Sequence, residues 1–189
     1  FVSDPGYPAR QLFDSEGNPT LDSNGSAEAL DWYLSLEQEY EIVRTGTVGE
    51  TMKSQFITSQ AAMIVDGPWN WATYEAGRLD VGQTLLPIVE ETGLRASPLV
   101  LYKGWSISKE SQQKVAATSL ILHLSSPEVQ KTFALETMTM PTSVQTAMDP
   151  EVQSDSVLSG FLAQAELATP APTTRAMSNV YGPLGTAIE

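Results

Sequence analysis

The spacing of apolar side chains changes several times along the chain, and each change predicts an element. Leu30, Tyr33, Leu34 and Tyr40 recur at helical intervals behind Ser26, a suitable N-cap, with Glu28 in the first turn. They predict a helix that packs with one face. Met52 and Phe56 lie one turn apart and predict a short helix after Gly46 and Gly49. Ala61-Ala62-Met63-Ile64-Val65 is an unbroken apolar run ended by Asp66-Gly67-Pro68, the pattern of a buried, parallel-type strand. A helix is expected from about Trp69 to Ala76, then a second strand from Val81 to Leu86, closed by Pro87. Leu99 to Tyr102 and Trp105 to Ile107 read as two more short strands around Lys103-Gly104.

The second half carries stronger boundary signals. Ser108 is read as the cap of a helix running to about Leu124. Ser126-Pro127-Glu128 combines an N-cap serine, a proline at the first helical position and an acid in the first turn, and predicts a helix to about Glu136. Asp149-Pro150-Glu151 repeats that pattern and opens a helix to about Ala168. The prolines of Thr169-Pro170-Ala171-Pro172-Thr173-Thr174 exclude helix there. A last helix starts near Met177 or Ser178. Residues 1–22 are rich in Pro, Gly and Asp, with a hairpin-like turn at Asp14 to Pro19, and Glu90 to Ala96 is a polar loop. Strands alternate with helices without an internal repeat, so the fold class is α/β.

Composition narrows the chemistry. The 189 residues are 41% hydrophobic, a globular value, and no apolar run is long enough to span a bilayer. A net charge of −13 argues against nucleic acid and against anionic membrane surfaces as partners. The absence of cysteine removes disulfides, thiolate catalysis and Cys-based metal sites without fixing the compartment. The single histidine, His123, lies in the apolar run Ser119 to Leu124 and reads as a structural residue on a helix packing face. Glu90-Glu91 and the Asp149/Glu151 pair are accounted for as turn and cap residues. No nucleophile-elbow, Walker or dinucleotide-loop pattern occurs. No catalytic residue, metal ligand or cofactor is therefore assigned. The chain opens at Phe1, with neither a methionine nor a signal peptide, and is expected to be a piece of a longer protein.

One position stands out for binding. In open α/β sheets, ligands lie beyond the carboxyl ends of strands. The expected strand 61–65 runs into Gly67-Pro68 and then Trp69, which puts the indole where a ligand would sit. Its flat apolar face suits the C–H face of a pyranose. Trp71, two residues on, is expected in the core. Tyr181, after the Pro-rich loop, either lines a site or packs the last helix. Trp105, alternating with Ile107, is expected to be core.

A set of stretches in order resembles the maltose/maltodextrin-binding proteins: A-A-M-I-V-D-G-P-W-N-W, D-V-G-Q-T-L-L-P, S-P-L-V-L-Y-K-G-W-S-I-S-K, L-S-S-P-E-V-Q-K-T-F, M-P-T-S, T-P-A-P-T and A-M-S-N-V-Y. The resemblance covers nearly all of the chain. It implies a periplasmic-binding-protein type II fold, with two α/β lobes joined by a hinge and the sugar in the cleft, here as a partial chain. By the same resemblance, residues 1–87 and 149–189 belong to the carboxyl lobe and residues 88–148 to the amino lobe. The ring-stacking tryptophan of that family matches Trp69, on the turn made by Gly67 and Pro68, and a second stacking aromatic falls at Tyr181. A family arginine falls at Gly185 and a common methionine at Ala171, so two contacts are missing.

The implied function is binding of maltose-like oligosaccharides outside the cytoplasm and their delivery to the transmembrane subunits of an ABC transporter. No enzymatic step and no membrane insertion of this segment are implied. The alternatives are a solute-binding domain fused to the permease itself, or a glycoside-processing enzyme whose acid pair is unrecognised.

Overall fold

The computed structural model describes residues 12–90 and 93–188. Residues 1–11 of the Pro-, Gly- and Asp-rich start, and positions 91 and 92 of the expected polar loop, lie outside the described residues. The chain forms two compact units. The first takes in the chain up to Ile64, Leu86–Val100 and the chain from Leu167 onward; the second takes in Val65–Leu85 and Leu101–Glu166.

In the first unit, the turn expected at Asp14 to Pro19 is present. Phe13 bridges Pro19, and the Asp14 carboxylate accepts the backbone N–H groups of Glu16 and Asn18 and the Asn18 amide at 2.8–3.0 Å. Gly17 takes φ +87°, a left-handed value that glycine adopts without a Cβ penalty. Helix α1 (Asn24–Gln38) is capped by Ser23, not by Ser26 as expected. The two serine hydroxyls lie 3.0 Å apart, but it is Ser23 that holds extended backbone and accepts the Ser26 N–H. Tyr40 falls beyond the helix end. Helix α2 (Gly49–Ile57) carries Met52 and Phe56 as expected.

Two small sheets complete this unit's described structure. β1 (Ile88–Val89) pairs antiparallel with β2 (Leu94–Arg95), so part of the expected polar loop is a hairpin. β3 (Leu99–Val100) pairs parallel with β4 (Thr169–Pro170), with Leu99 opposite Thr169. Helix α9 (Ser178–Ile188) follows a single 3-10 turn at Arg175–Met177. Leu12, Phe13, Met177 and Val180 form the buried core, with Leu21, Leu99 and Ala176 packed against it.

The second unit is helical. A 3-10 turn, Pro68–Asn70, leads into α3 (Trp71–Ala76). Helices α4 (Lys114–Leu124) and α5 (Pro127–Thr137) follow. Then come α6 (Val144–Ala147), α7 (Pro150–Ser154) and α8 (Ser156–Glu166). Ser126 caps α5 by accepting the Val129 N–H, and Asp149 caps α7 by accepting the Glu151 N–H. The single helix expected from Asp149 to Ala168 is two helices. Asp155 takes extended backbone, and its carboxylate accepts the N–H groups of Val157 and Leu158, so it ends α7 and caps α8. Ala134, Val152 and Leu158 form the core, with Leu135, Met138 and Leu162 around them.

Five expectations fail in this unit or at its border. The run 61–65 forms no strand, and Met63 is 88% exposed. Residues 81–86 form no strand either. A strand needs a ladder partner for its backbone groups, and among the described residues neither segment joins a sheet. Trp105 is 60% exposed, and residues 105–107 are unpaired, so alternation with Ile107 did not bury it. Helix α4 starts at Lys114, because Ser108 and Ser111 cap only the local turns before it, accepting the N–H groups of Glu110 and Gln113. No residue of α4 is buried, and His123 lies on an exposed side of it.

Candidate functional site

The stretch from Asp66 to Tyr74 builds a rigid turn from local chemistry. Gly67 is extended (φ −111°, ψ 173°) and Pro68, with its fixed φ, opens the 3-10 turn. The Asn70 N–H reaches Gly67 O at 3.4 Å, and the Trp71 N–H reaches Pro68 O. The Asp66 carboxylate ties this together. One oxygen accepts the Gly67 N–H at 2.8 Å; the other accepts the Asn70 amide at 2.8 Å and the Tyr74 hydroxyl.

Two aromatic side chains anchor the turn. Trp71 and Tyr74 are three residues apart on α3, share a face and are both buried. Trp71 is 8% exposed. It meets Phe161 of α8 edge-on, with ring centroids 6.4 Å apart and planes at 83°, and its Nε1–H donates to the Glu75 carboxylate at 3.0 Å. Trp71 is thus a packing residue, as its position on the helix suggested.

Trp69 points the other way and is 73% exposed. Its indole folds back over Gly67, so that a Cβ at position 67 would collide with the six-membered ring. The φ of Gly67 is ordinary for any residue; glycine is needed there for space. Gly67 and Pro68 are themselves buried. The result is a large, flat, apolar face held open on a braced turn, able to stack on a flat apolar ligand surface.

Tyr181 belongs to the other compact unit. Its neighbour Val180 enters that unit's core, while Tyr181 on α9 is 51% exposed. Of the sequence-predicted site residues, Gly67, Pro68 and Trp69 therefore share one turn, and Tyr181 lies on α9.

Sequence reasoning missed Asp66, Asn70 and Tyr74. The available signal was their spacing: an acid directly before Gly-Pro, with partners four and eight residues on, at helical intervals. A shallow recess of about 400 Å³ lies in the second unit, lined by Gln83, Thr84, Leu85, Ser156, Ser159 and Gly160, none of them ionisable. The Gln83 amide donates to Ser156 O and, at 2.8 Å, to Val157 O, so it fastens its own segment to the start of α8.

Titratable groups with displaced values lie elsewhere. Hydrogen bonds from the Asn18 side chain and backbone hold Asp14 below its ordinary value. Lys131 bonds Asp149 at 2.9 Å and Glu151 at 2.9 Å. The Lys131 hydrogen bond holds the Asp149 carboxyl low, and the hydrogen bond to Glu151, followed by that to Asp149, holds Lys131 high. Among the described residues no group of three His, Cys, Asp or Glu side chains could hold a metal, and no helix is long and apolar enough to cross a membrane.

Comparison with known proteins places the chain in a family. The galactooligosaccharide-binding protein of Bacillus subtilis is 24% identical over 190 residues, covering 97% of this chain and 45% of that protein. The maltodextrin-binding protein MdxE of Bacillus subtilis is 23% identical over 93% of this chain and 43% of its own length. The solved maltose/maltodextrin-binding domain MalE from Bdellovibrio bacteriovorus, bound to maltotriose, superposes with a TM-score of 0.81 at 27% identity, over 93% of this chain and 47% of that one. The fold is therefore the α/β, type II periplasmic-binding-protein fold, of which this chain spans a little under half of each relative's length. Residues 6–159 match the family model described as bacterial extracellular solute-binding protein. With most of its length matched in this way, the chain belongs to the bacterial extracellular solute-binding protein family.

Proposed function

We propose that the complete protein binds maltose or longer maltodextrins outside the cytoplasm and delivers them to the transmembrane subunits of an ABC transporter. The observation that carries this reading is Trp69, an indole 73% exposed yet mounted on a turn fastened to a buried aromatic pair. A solvated tryptophan on a braced support suits stacking on a sugar ring. The relatives named for maltodextrin and the solved relative bound to maltotriose support the same ligand class.

The mechanism is closure of two lobes around a neutral oligosaccharide. Trp69 supplies one stacking surface and Tyr181 a second, while Gly67 and Pro68 shape the turn under the first. Hydroxyl hydrogen bonds orient the sugar. Binding and release involve no bond making or breaking, so the reading calls for no nucleophile, metal or cofactor. Net charge of −13 also fits a neutral ligand better than an anionic one.

A second reading of the ligand comes from the galactooligosaccharide-binding relative, which matches 97% of this chain. Titration calorimetry of the complete protein against maltotriose, a β-galactotriose and a tripeptide separates the readings. Maltotriose is expected to bind most tightly. Tighter binding of the galactotriose would transfer the assignment to that sugar, and binding of the tripeptide alone would end the sugar reading.

A further inference from the structure

We propose that Asp66 is a positioning residue for Trp69, gathering the Gly67 amide, the Asn70 side chain and the Tyr74 hydroxyl onto one carboxylate and so fixing the direction in which the indole meets its ligand. The proposal rests on the sugar-binding reading of Trp69 and adds how that side chain is aimed. An exposed indole on a loose loop samples many orientations and loses that freedom when it stacks. Here the freedom is already reduced. The Tyr74 ring is buried in the second unit. Its hydroxyl bonds Asp66, Asp66 bonds the Gly67 N–H at 2.8 Å and the Asn70 amide at 2.8 Å, and Trp69 sits inside the loop those contacts close.

A carboxylate suits these partners. All three partners donate, and an ionised carboxylate is purely an acceptor, with room for each. An amide at position 66 could offer its oxygen to one side of this cluster only and would turn an NH2 group toward the other. Gly67 adds the remaining constraint, because the space above its Cα is where the indole lies. Anchor, hub and floor thus act on a single exposed side chain.

The test uses the complete protein with maltotriose as the probe. Tyr74→Phe keeps the buried ring and removes only the hydroxyl; Asp66→Ala removes the hub. Each is measured alone and combined with Trp69→Ala. Tyr74→Phe is expected to weaken maltotriose binding roughly three- to tenfold, the range for one hydrogen bond, and Asp66→Ala to weaken it more. Both losses should shrink to less than about twofold when Trp69 is already alanine, since they act through the indole.

A second readout needs no sugar. In protein labelled with 5-fluorotryptophan, Tyr74→Phe should shift or broaden the Trp69 resonance, identified by its loss in Trp69→Phe, and leave those of Trp32 and Trp105 in place. Equal losses with and without the Trp69 indole, or an unmoved Trp69 resonance, would overturn the proposal. If Trp69→Ala alone leaves maltotriose affinity unchanged, the sugar-stacking role fails instead, and the fluorine spectrum still decides whether Asp66 aims the ring.

Discussion

Replacing Trp69 and Trp71 separately with alanine should produce opposite phenotypes, although the two lie two residues apart. Trp71 is 8% exposed, packs edge-on against Phe161 and donates to Glu75. Its removal empties a core site and should cost about 3–5 kcal/mol of folding stability, the range for buried aromatic truncations. Trp69 is 73% exposed and leaves almost no cavity, so its removal should change stability by less than about 0.5 kcal/mol, as for ordinary surface positions. Its effect should fall on binding instead. Aromatic stacking on flat ligands is worth about 1–3 kcal/mol per ring, which is roughly a ten- to hundredfold loss of affinity. Differential scanning calorimetry without sugar and titration calorimetry with maltotriose, both on the complete protein, read the two quantities. A Trp69→Ala protein that melts low and binds normally, with Trp71→Ala the reverse, would refute the assignment of the two indoles.

Gly67→Ala should weaken maltotriose binding with little change in melting temperature, because the new methyl group displaces the indole while φ stays in an ordinary region; unchanged affinity would show that the ring relaxes freely. Ser126→Ala and Asp155→Ala should each cost about 1 kcal/mol in denaturant unfolding, since each removes an N-cap that accepts backbone N–H groups. The Lys131 cluster predicts a pH signature. Asp149 is held below its ordinary 3.8, so its contribution is present above that value and disappears as pH falls through the lower folded-state value. Lys131 is held above 10.5, so its contribution is complete below that value and is lost as pH rises through the raised one. The melting-temperature gap between the native protein and Lys131→Met should thus be flat over about pH 5 to 9 and close at the acid end; a gap that persists once Asp149 is protonated would contradict the ion-pair account.

Local chemistry was legible in the sequence and non-local pairing was not. Ser126-Pro127-Glu128 and Asp149-Pro150-Glu151 announced α5 and α7 because a cap, a proline and an acid act within one turn. The Asp14 turn was readable for the same reason. Asp155 was overlooked: it lies in the polar run Gln153-Ser154-Asp155-Ser156, and its extended backbone shows that one helix is two. Strand expectations at 61–65 and 81–86 rested on apolar runs alone, and a run does not reveal whether a ladder partner lies beside it. Trp105 misled in a similar way, since alternation with Ile107 describes a strand that does not form. At the candidate site, the contrast between Trp69 and Trp71 followed from helical geometry. The brace beneath them did not, because Asp66 served in the sequence only to mark the end of an expected strand, and its bonds to Asn70 and Tyr74 are seen only in the fold.

The most direct test of the central claim is a crystal structure of the complete protein grown with maltotriose. The account predicts a glucosyl ring lying parallel to the Trp69 indole with carbon–carbon contacts within about 4.5 Å, and the Asp66–Tyr74 hydrogen bond intact beneath it. A bound sugar that leaves the face of Trp69 open to solvent would contradict the account.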